Sequence, residues 1–170
     1  MALQEYSIRR RIEIDTAHRV PDHGSKCFNL HGHRYVINAE CRGPVIVSGE
    51  QNGMVMDFSF LKTCMMDVIY DACDHGTILF KDDPLCATFL KVPADAPVGE
   101  CIMDHSNLME GMKLLLLPVV PTAENLAQFW HAKLVERIES FFRNRSENAP
   151  RLHCIEVAET PNCVATFPAV

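Results

Sequence analysis

The order of patterns along the sequence predicts an α+β fold, in which two helices cover one face of an antiparallel four-stranded sheet. Segments that alternate apolar and polar residues, as half-buried strands do, lie in pairs near the two ends of the sequence. Between them lie two segments in which apolar residues recur every three or four positions, as on the buried side of a helix. With 170 residues, the chain is most simply a single domain spanning residues 1–170.

The first two strands are expected over residues 6–17 and 34–41, where isoleucine, valine and alanine alternate with polar residues. Turn-forming sequence follows, and Asp57 can then cap a helix that runs to about Ala72. The residues between them form one apolar stripe: Phe58, Leu61, Met65, Val68 and Ile69.

A long connection, residues 80–118, separates this helix from the next. A connection of that length is usually functional or contains elements of its own. It can cover an active site, extend a subunit interface, or contain an added helix over about residues 105–117. The second helix begins after Thr122, whose hydroxyl is suited to cap it. Residues 151–158 and 164–168 supply the last two strands.

Histidines are concentrated near the first two strands, where residues 17–36 contain four of the eight in the chain. His31 and His33 flank a glycine on a strand, so their side chains point to the same face. His18 ends the preceding strand and can supply a third nitrogen if the two strands pair. Three neutral imidazoles with an open fourth position are the ligand set of a catalytic zinc, so the pattern predicts a zinc site.

Cys27 lies four residues before His31, close enough to face the same ion. It can be a fourth ligand, an inert thiol or a catalytic group. A neighbouring dication and imidazoles favour the thiolate, which can act as a base or a nucleophile. The sequence alone leaves these roles open.

Composition argues against several classes of function. A net charge of −6 disfavours a general nucleic-acid binder, which is normally basic. The longest apolar run, residues 112–120, is interrupted and too short to cross a bilayer, so no membrane partner is expected. The eight cysteines form no C-x-x-C pair and follow no secretory leader, which predicts reduced thiols and a cytoplasmic location.

Four short motifs occur in order: A-H-R with C-x3-H-G-H, Asp-His directly after the first helix, P-T-x-E-N at the start of the second, and E-T after a late strand. Together they resemble the 6-pyruvoyl-tetrahydropterin synthase family over nearly the whole chain. Residues 80–118 depart from it, because compact bacterial members have a much shorter loop there. The spacing between Cys27 and His31 is similar to that of bacterial members that form 6-carboxytetrahydropterin.

The resemblance implies a tunnelling fold (T-fold), in which subunits form trimers and then homohexamers with active sites at subunit interfaces. It also implies a zinc-dependent lyase of the queuosine precursor pathway. Its small-molecule partner would be 7,8-dihydroneopterin triphosphate, which it would convert to 6-carboxy-5,6,7,8-tetrahydropterin, acetaldehyde and triphosphate.

The resemblance further assigns zinc to the three histidines and proton transfer to Cys27 and to His75, which Asp74 would orient. A second pair, Asp104–His105, occurs in the long connection. Only Asp74 and His75 have the family's spacing from the first helix, so the second pair is expected to lie at the surface.

In the family, the carboxylate corresponding to Glu159 holds the pterin. A carboxylate can accept two parallel hydrogen bonds from the 2-amino and N3–H edge of that ring. Glu159 is therefore assigned to substrate binding and to a share in proton relay, and Thr122 and Thr160 are further substrate-binding candidates. Capping of the second helix would by itself also explain Thr122.

Three alternatives stay open. The chain can be a pyruvoyl-forming synthase that eliminates triphosphate, a related aldolase acting on the dephosphorylated pterin, or a non-catalytic zinc- or pterin-binding protein. The spacing between Cys27 and His31 argues against the first of these.

Overall fold

The computed structural model describes residues 4–88, 90–102, 111–142 and 149–169. Within these ranges the chain forms seven strands: β1 (Tyr6–His18), β2 (His31–Gly43), β3 (Gly76–Phe80), β4 (Cys101–Ile102), β5 (Leu114–Leu117), β6 (Arg151–Thr160) and β7 (Cys163–Phe167). The helices are α1 (Phe58–Met65), α2 (Asp71–Cys73), α3 (Pro84–Thr88) and α4 (Ala123–Phe142). A 3-10 turn covers Lys26–Phe28, and a π-helical turn, Met66–Tyr70, joins α1 to α2.

All seven strands of the described residues belong to one sheet, in the order β4-β5-β3-β1-β2-β6-β7. The pairs β1–β2, β2–β6 and β6–β7 are antiparallel, as expected for the four predicted strands. β3, however, runs parallel to both β1 and β5. The α+β class is therefore confirmed, but the sheet is mixed and larger than the predicted four strands.

The additional strands come from the segment that follows the first helix. Leu114–Leu117 form a fully buried strand within the long connection, so the alternative of an added helix over residues 105–117 is wrong for this part. Residues 103–110 lie outside the described residues. A short continuous apolar run fits a buried parallel strand as well as a helix, which is why its pattern did not distinguish the two.

The two predicted helices form as expected and cover one face of the sheet. The Asp57 carboxylate accepts a hydrogen bond from the Ser59 amide and caps α1, and helical structure continues through Cys73. The main core lies between these helices and the sheet and includes Trp130, Leu134, Leu61, Ile37 and Val157. Side chains alternate along β5, so Leu115 and Leu117 belong to this core.

A second, smaller cluster of buried residues anchors the long connection to β3 and β5. It consists of Leu79, Cys86, Leu114 and Leu116. Both faces of β5 are thus buried, and the segment that begins at Phe80 is packed against β5 and against β3, the neighbour of β1.

None of the helices formed by the described ranges combines the length and the apolar composition that a membrane span requires.

Candidate active site

The pairing of β1 with β2 brings the three histidines together. In the antiparallel register, His18 lies opposite His31, and His33 lies opposite Thr16. The ligand atoms of the three imidazoles all lie within 4.8 Å of one another. Among the described residues, these three histidines form a group whose ligand atoms are close enough together to hold one metal ion.

Gly32 allows the two strands to approach closely at this point. A Cβ atom at Gly32 would lie 3.2 Å from the carbonyl oxygen of Thr16, closer than most such contacts in proteins. The glycine between the two histidines therefore serves the geometry of the cluster, since a side chain there would push β2 away from β1 and His18.

Two backbone carbonyls fix the orientation of the rings. His18 Nδ1 lies 2.7 Å from the oxygen of Pro121, and His31 Nδ1 lies 2.7 Å from the oxygen of Asn29. A carbonyl can only accept, so each Nδ1 carries the hydrogen and each Nε2 presents its lone pair. Such outer contacts are typical of metal-binding histidines.

The remaining nitrogen of His18 has the properties of a metal ligand. Its Nε2 is buried and, among the described residues, has no hydrogen-bond partner. Burial lowers the pKa of His18, and the charges of His31 and His33 lower it too, so the net shift is downward despite the opposing influence of the Pro121 carbonyl and Glu159. The ring is therefore kept neutral, which is the form that binds metal. An unpaired buried nitrogen is costly unless a ligand satisfies it, so the residues fit a bound metal ion.

A cavity of about 320 Å³ adjoins the cluster. His18, Cys27, Thr122 and Glu159 all line it, so the structure brings together four predicted site residues from distant parts of the sequence. It is also lined by Glu124, a cavity residue that sequence analysis did not single out. None of the described residues that line it is a lysine or an arginine.

Glu159 lies beside the histidines at the end of β6. One carboxylate oxygen is 3.8 Å from His18 Nε2 and accepts a hydrogen bond of 3.3 Å from the hydroxyl of Tyr35. Burial, together with the charge of Glu159, raises the pKa of Tyr35 well above its ordinary value, so the hydroxyl stays protonated and remains a donor. Tyr35 was missed from sequence, although its place two residues after His33 puts it on the same strand face.

Cys27 occupies the 3-10 turn that precedes β2. Its carbonyl oxygen accepts a 2.8 Å hydrogen bond from the Val20 amide, which ties the turn to the chain just after β1. The thiol is partly exposed, unlike the buried thiols of Cys41, Cys64 and Cys73. Its position in the cavity wall makes it accessible to a bound substrate.

Asp74 and His75 form a preorganised pair at the start of β3. The Asp74 carboxylate lies 2.7 Å from His75 Nδ1, and its other oxygen accepts a 2.9 Å bond from the Asp15 amide. Lys113 donates a 2.8 Å hydrogen bond to the Asp74 carbonyl. The net pKa of Asp74 is lowered. Burial alone would raise it, but hydrogen bonds from the Asp15 amide, His75 and Tyr70 outweigh that effect, so the carboxylate remains charged.

This pair does not line the cavity. The His75 side chain is 80% exposed, whereas that of Asp74 is 11% exposed. The neighbouring Asp15 and Gly76 instead line, together with His33, a separate shallow depression. The histidine cluster thus lies between the cavity and the side of the molecule that presents the Asp-His pair. The other pair, Asp104–His105, lies outside the described residues.

The two threonines occupy different positions. Thr122 lines the cavity, and its hydroxyl oxygen accepts a 3.4 Å bond from the Asn125 amide, as an N-cap residue does. The hydroxyl oxygen of Thr160 accepts a 3.3 Å bond from the Asn162 amide in the β6–β7 turn. Thr160 is not among the residues that line the cavity.

Comparison with known proteins identifies the family. A family model described as 6-pyruvoyl tetrahydropterin synthase matches residues 7–169. The chain is 32% identical over 158 residues to 6-carboxy-5,6,7,8-tetrahydropterin synthase of Rickettsia bellii, covering 91% of this chain and 94% of that protein. It is 29% identical over 167 residues to the enzyme of the same name from Synechocystis sp., covering 94% and 91%.

Solved structures show the same fold. An uncharacterized protein from Wolinella succinogenes superposes with a TM-score of 0.72 at 24% identity, covering 96% of this chain and 98% of that chain. For 6-pyruvoyl tetrahydropterin synthase of Plasmodium vivax, the TM-score is 0.61 at 20% identity, with 96% and 97% covered. The predicted tunnelling fold is thus confirmed.

The chain belongs to the 6-pyruvoyl tetrahydropterin synthase family. The family recognised from the four motifs is therefore confirmed, as is the prediction of an enzyme, a lyase of this pterin family.

Proposed function

We propose that the protein is a zinc-dependent lyase that converts 7,8-dihydroneopterin triphosphate and one water to 6-carboxy-5,6,7,8-tetrahydropterin, acetaldehyde and triphosphate. The observation that carries the proposal is the single cavity shared by His18 of the imidazole cluster, Cys27 and Glu159. The name of the relatives from Rickettsia bellii and Synechocystis sp. supports the carboxy-forming reaction. The product would serve the queuosine precursor pathway in the cytoplasm.

Zinc would be held by His18, His31 and His33, because three neutral imidazoles are a donor set of catalytic zinc sites. When bound, zinc supplies Lewis acidity toward the oxygens of the substrate side chain. The carbonyls of Pro121 and Asn29 keep two of the rings oriented for this role.

Glu159 would bind the pterin ring. Its carboxylate would accept two hydrogen bonds from the 2-amino and N3–H edge, while the Tyr35 hydroxyl holds one of its oxygens in place. Thr122, which lines the same cavity, would add a contact to the ring, and Thr160 would support the end of the strand that carries Glu159. This arrangement would point the side chain of the substrate toward the histidines and Cys27.

Cys27 would remove and return protons on the side-chain carbons of the substrate. Its thiol lines the cavity that would hold the substrate, and proximity of this kind is what general acid–base catalysis requires. His75 would be the second acid–base group. Because its Nδ1 faces Asp74, its Nε2 is the nitrogen available for proton exchange with substrate or with Cys27.

A homohexamer, a dimer of trimers with active sites between subunits, would explain two features of the single chain. His75 is largely exposed and does not line the cavity of its own subunit, so it would act in the cavity of a neighbouring one. The cavity contains Glu124 and Glu159 but no lysine or arginine among the described residues that line it. The charge of the triphosphate would therefore be met by groups outside that cavity.

The test is incubation of the zinc-loaded protein with 7,8-dihydroneopterin triphosphate, followed by mass identification of all products. We expect 6-carboxytetrahydropterin and an equal amount of acetaldehyde. A pyruvoyl product would identify a triphosphate-eliminating synthase, and an equal rate with dephosphorylated substrate would identify an aldolase. Absence of turnover at full zinc occupancy would leave a binding protein.

A further inference from the structure

A buried ion pair connects residues 80–118 to the chain beside the histidine cluster. Asp83, near the start of this segment, accepts a 2.7 Å hydrogen bond from Arg19 Nε. The Asp83 side chain is fully buried and that of Arg19 is 10% exposed. Arg19 directly follows the metal-site residue His18, so the long connection is bonded to the chain at the edge of the histidine cluster.

Asp83 is itself held rigidly. Its second carboxylate oxygen accepts a 2.8 Å bond from the Leu85 amide at the start of α3, and its own amide donates a 2.9 Å bond to the Phe80 carbonyl. Cys86, in the next turn, belongs to the small buried cluster that anchors this segment to β3 and β5. Both carboxylate oxygens are therefore fixed, one by its own segment and one by Arg19.

Arg19 passes this restraint on to the cysteine turn. Its guanidinium carbon lies 4.9 Å from the centroid of the Phe28 ring, a distance typical of a cation–π contact. Phe28 is the neighbour of Cys27 in the 3-10 turn. The Val20 amide, next to Arg19, donates to the Cys27 carbonyl. Two contacts, one from a side chain and one from the backbone, thus connect Arg19 and Val20 to the turn that carries the thiol.

We propose that Asp83 and Arg19 are positioning residues, and that the long connection uses them to hold Cys27 at its working position in the cavity. The inference rests on the proposed role of Cys27 in proton transfer. A buried ion pair is weak evidence for stability, because the loss of hydration offsets most of the attraction between the charges. Placement of a catalytic group is more demanding, since an error of about 1 Å can lower a rate by about 100-fold.

The test compares Asp83→Asn with Asp82→Asn, which makes the same chemical change at the adjacent residue. Asp82 is exposed and pairs with Lys81, away from Arg19. We expect Asp83→Asn to lower kcat by about 10- to 100-fold with little change in KM, and Asp82→Asn to leave both unchanged. Zinc content should equal that of the parent protein in both variants.

A second measurement does not depend on turnover. The rate at which iodoacetamide modifies Cys27, a partly exposed thiol, is followed by peptide mass in the parent protein, in Asp83→Asn and in Asp82→Asn. We expect Asp83→Asn to raise the rate at Cys27 by about fivefold or more relative to the parent protein and to Asp82→Asn, because the turn is no longer held. If the parent protein lacks lyase activity, the proposed reaction is wrong, but this measurement still tests the positioning role.

Phe28, the exposed residue that contacts Arg19, keeps the proposal testable if Asp83→Asn does not fold. Phe28 is 48% exposed, so Phe28→Leu removes the aromatic face at little cost to the core. We expect it to lower kcat and speed alkylation of Cys27 as Asp83→Asn does, and Phe28→Tyr to restore parent values. The proposal is overturned if Phe28→Leu, or a folded Asp83→Asn, matches Asp82→Asn in both measurements.

Discussion

Replacement of Glu159 by glutamine tests the proposed pterin contact with almost no change in shape. The carboxylate offers two acceptors, whereas the amide offers one acceptor and one donor, which would face a donor of the pterin. At least one hydrogen bond to a charged group is then lost, which weakens binding by about 1.5–3 kcal/mol, and the unpaired donor weakens it further. Because the Glu159 side chain is 23% exposed, water can relieve part of that cost.

These terms give a loss of about 2–4 kcal/mol, which corresponds to a fall in kcat/KM of about 30- to 700-fold. The dissociation constant of a non-reacting pterin, measured by calorimetry, should rise by a similar factor. Tyr35 can still donate to the oxygen of the amide, so the melting temperature should change little.

Glu156→Gln is the matched control, because Glu156 lies on the same strand and accepts a 2.9 Å bond from Asn38. We expect it to leave kcat/KM within about twofold of the parent, because Glu156 does not line the cavity and glutamine can still accept the bond from Asn38. The reasoning is refuted if Glu159→Gln binds the pterin as tightly as Glu156→Gln does.

The remaining predictions concern the metal and the proton-transfer groups. Cys27→Ala should lower kcat by about 100- to 10,000-fold while zinc content, measured by atomic emission, stays at the parent level; loss of zinc would instead make the thiol a ligand. His33→Ala should lose zinc, whereas His23→Ala should retain it, and equal retention would refute the three-histidine site. His75→Asn, in which asparagine tolerates the positive φ of 55° at this position, should reduce activity far more than His105→Asn. The reverse result would show that the wrong Asp-His pair was chosen.

Sequence patterns predicted the geometry of the histidine cluster best, because its residues lie on regular elements. His31 and His33 lie on one strand, where a period of two fixes a common face, and His18 ends the neighbouring strand. The short motifs around these residues also identified the family, because their types and spacings are local properties of the chain. The N-cap positions of Asp57 and Thr122 were predicted for the same reason.

The sequence did not predict contacts that depend on how distant segments pack. The Pro121 carbonyl that orients His18 lies 103 residues away, and Asp83 lies 64 residues from Arg19. No periodicity encodes which carbonyl or carboxylate meets a given side chain, since such pairs are set by sheet order and by the docking of the long connection. The parallel pairing of β3 with β5 was also not predicted. Both faces of β5 are buried, so its sequence is a continuous apolar run that lacks the alternation of a half-buried strand.

Local patterns were thus enough to identify the family, the α+β class and the residue types available for metal binding and proton transfer. The packing of distant segments was needed to show that His18, Cys27, Thr122 and Glu159 line one cavity, whereas Asp74 and His75 do not line it. Apolar periodicity and helix capping involve residues only a few positions apart, so they can be recognised in the sequence. The assembly of a cavity instead depends on contacts between segments that the whole sheet and its core hold in place.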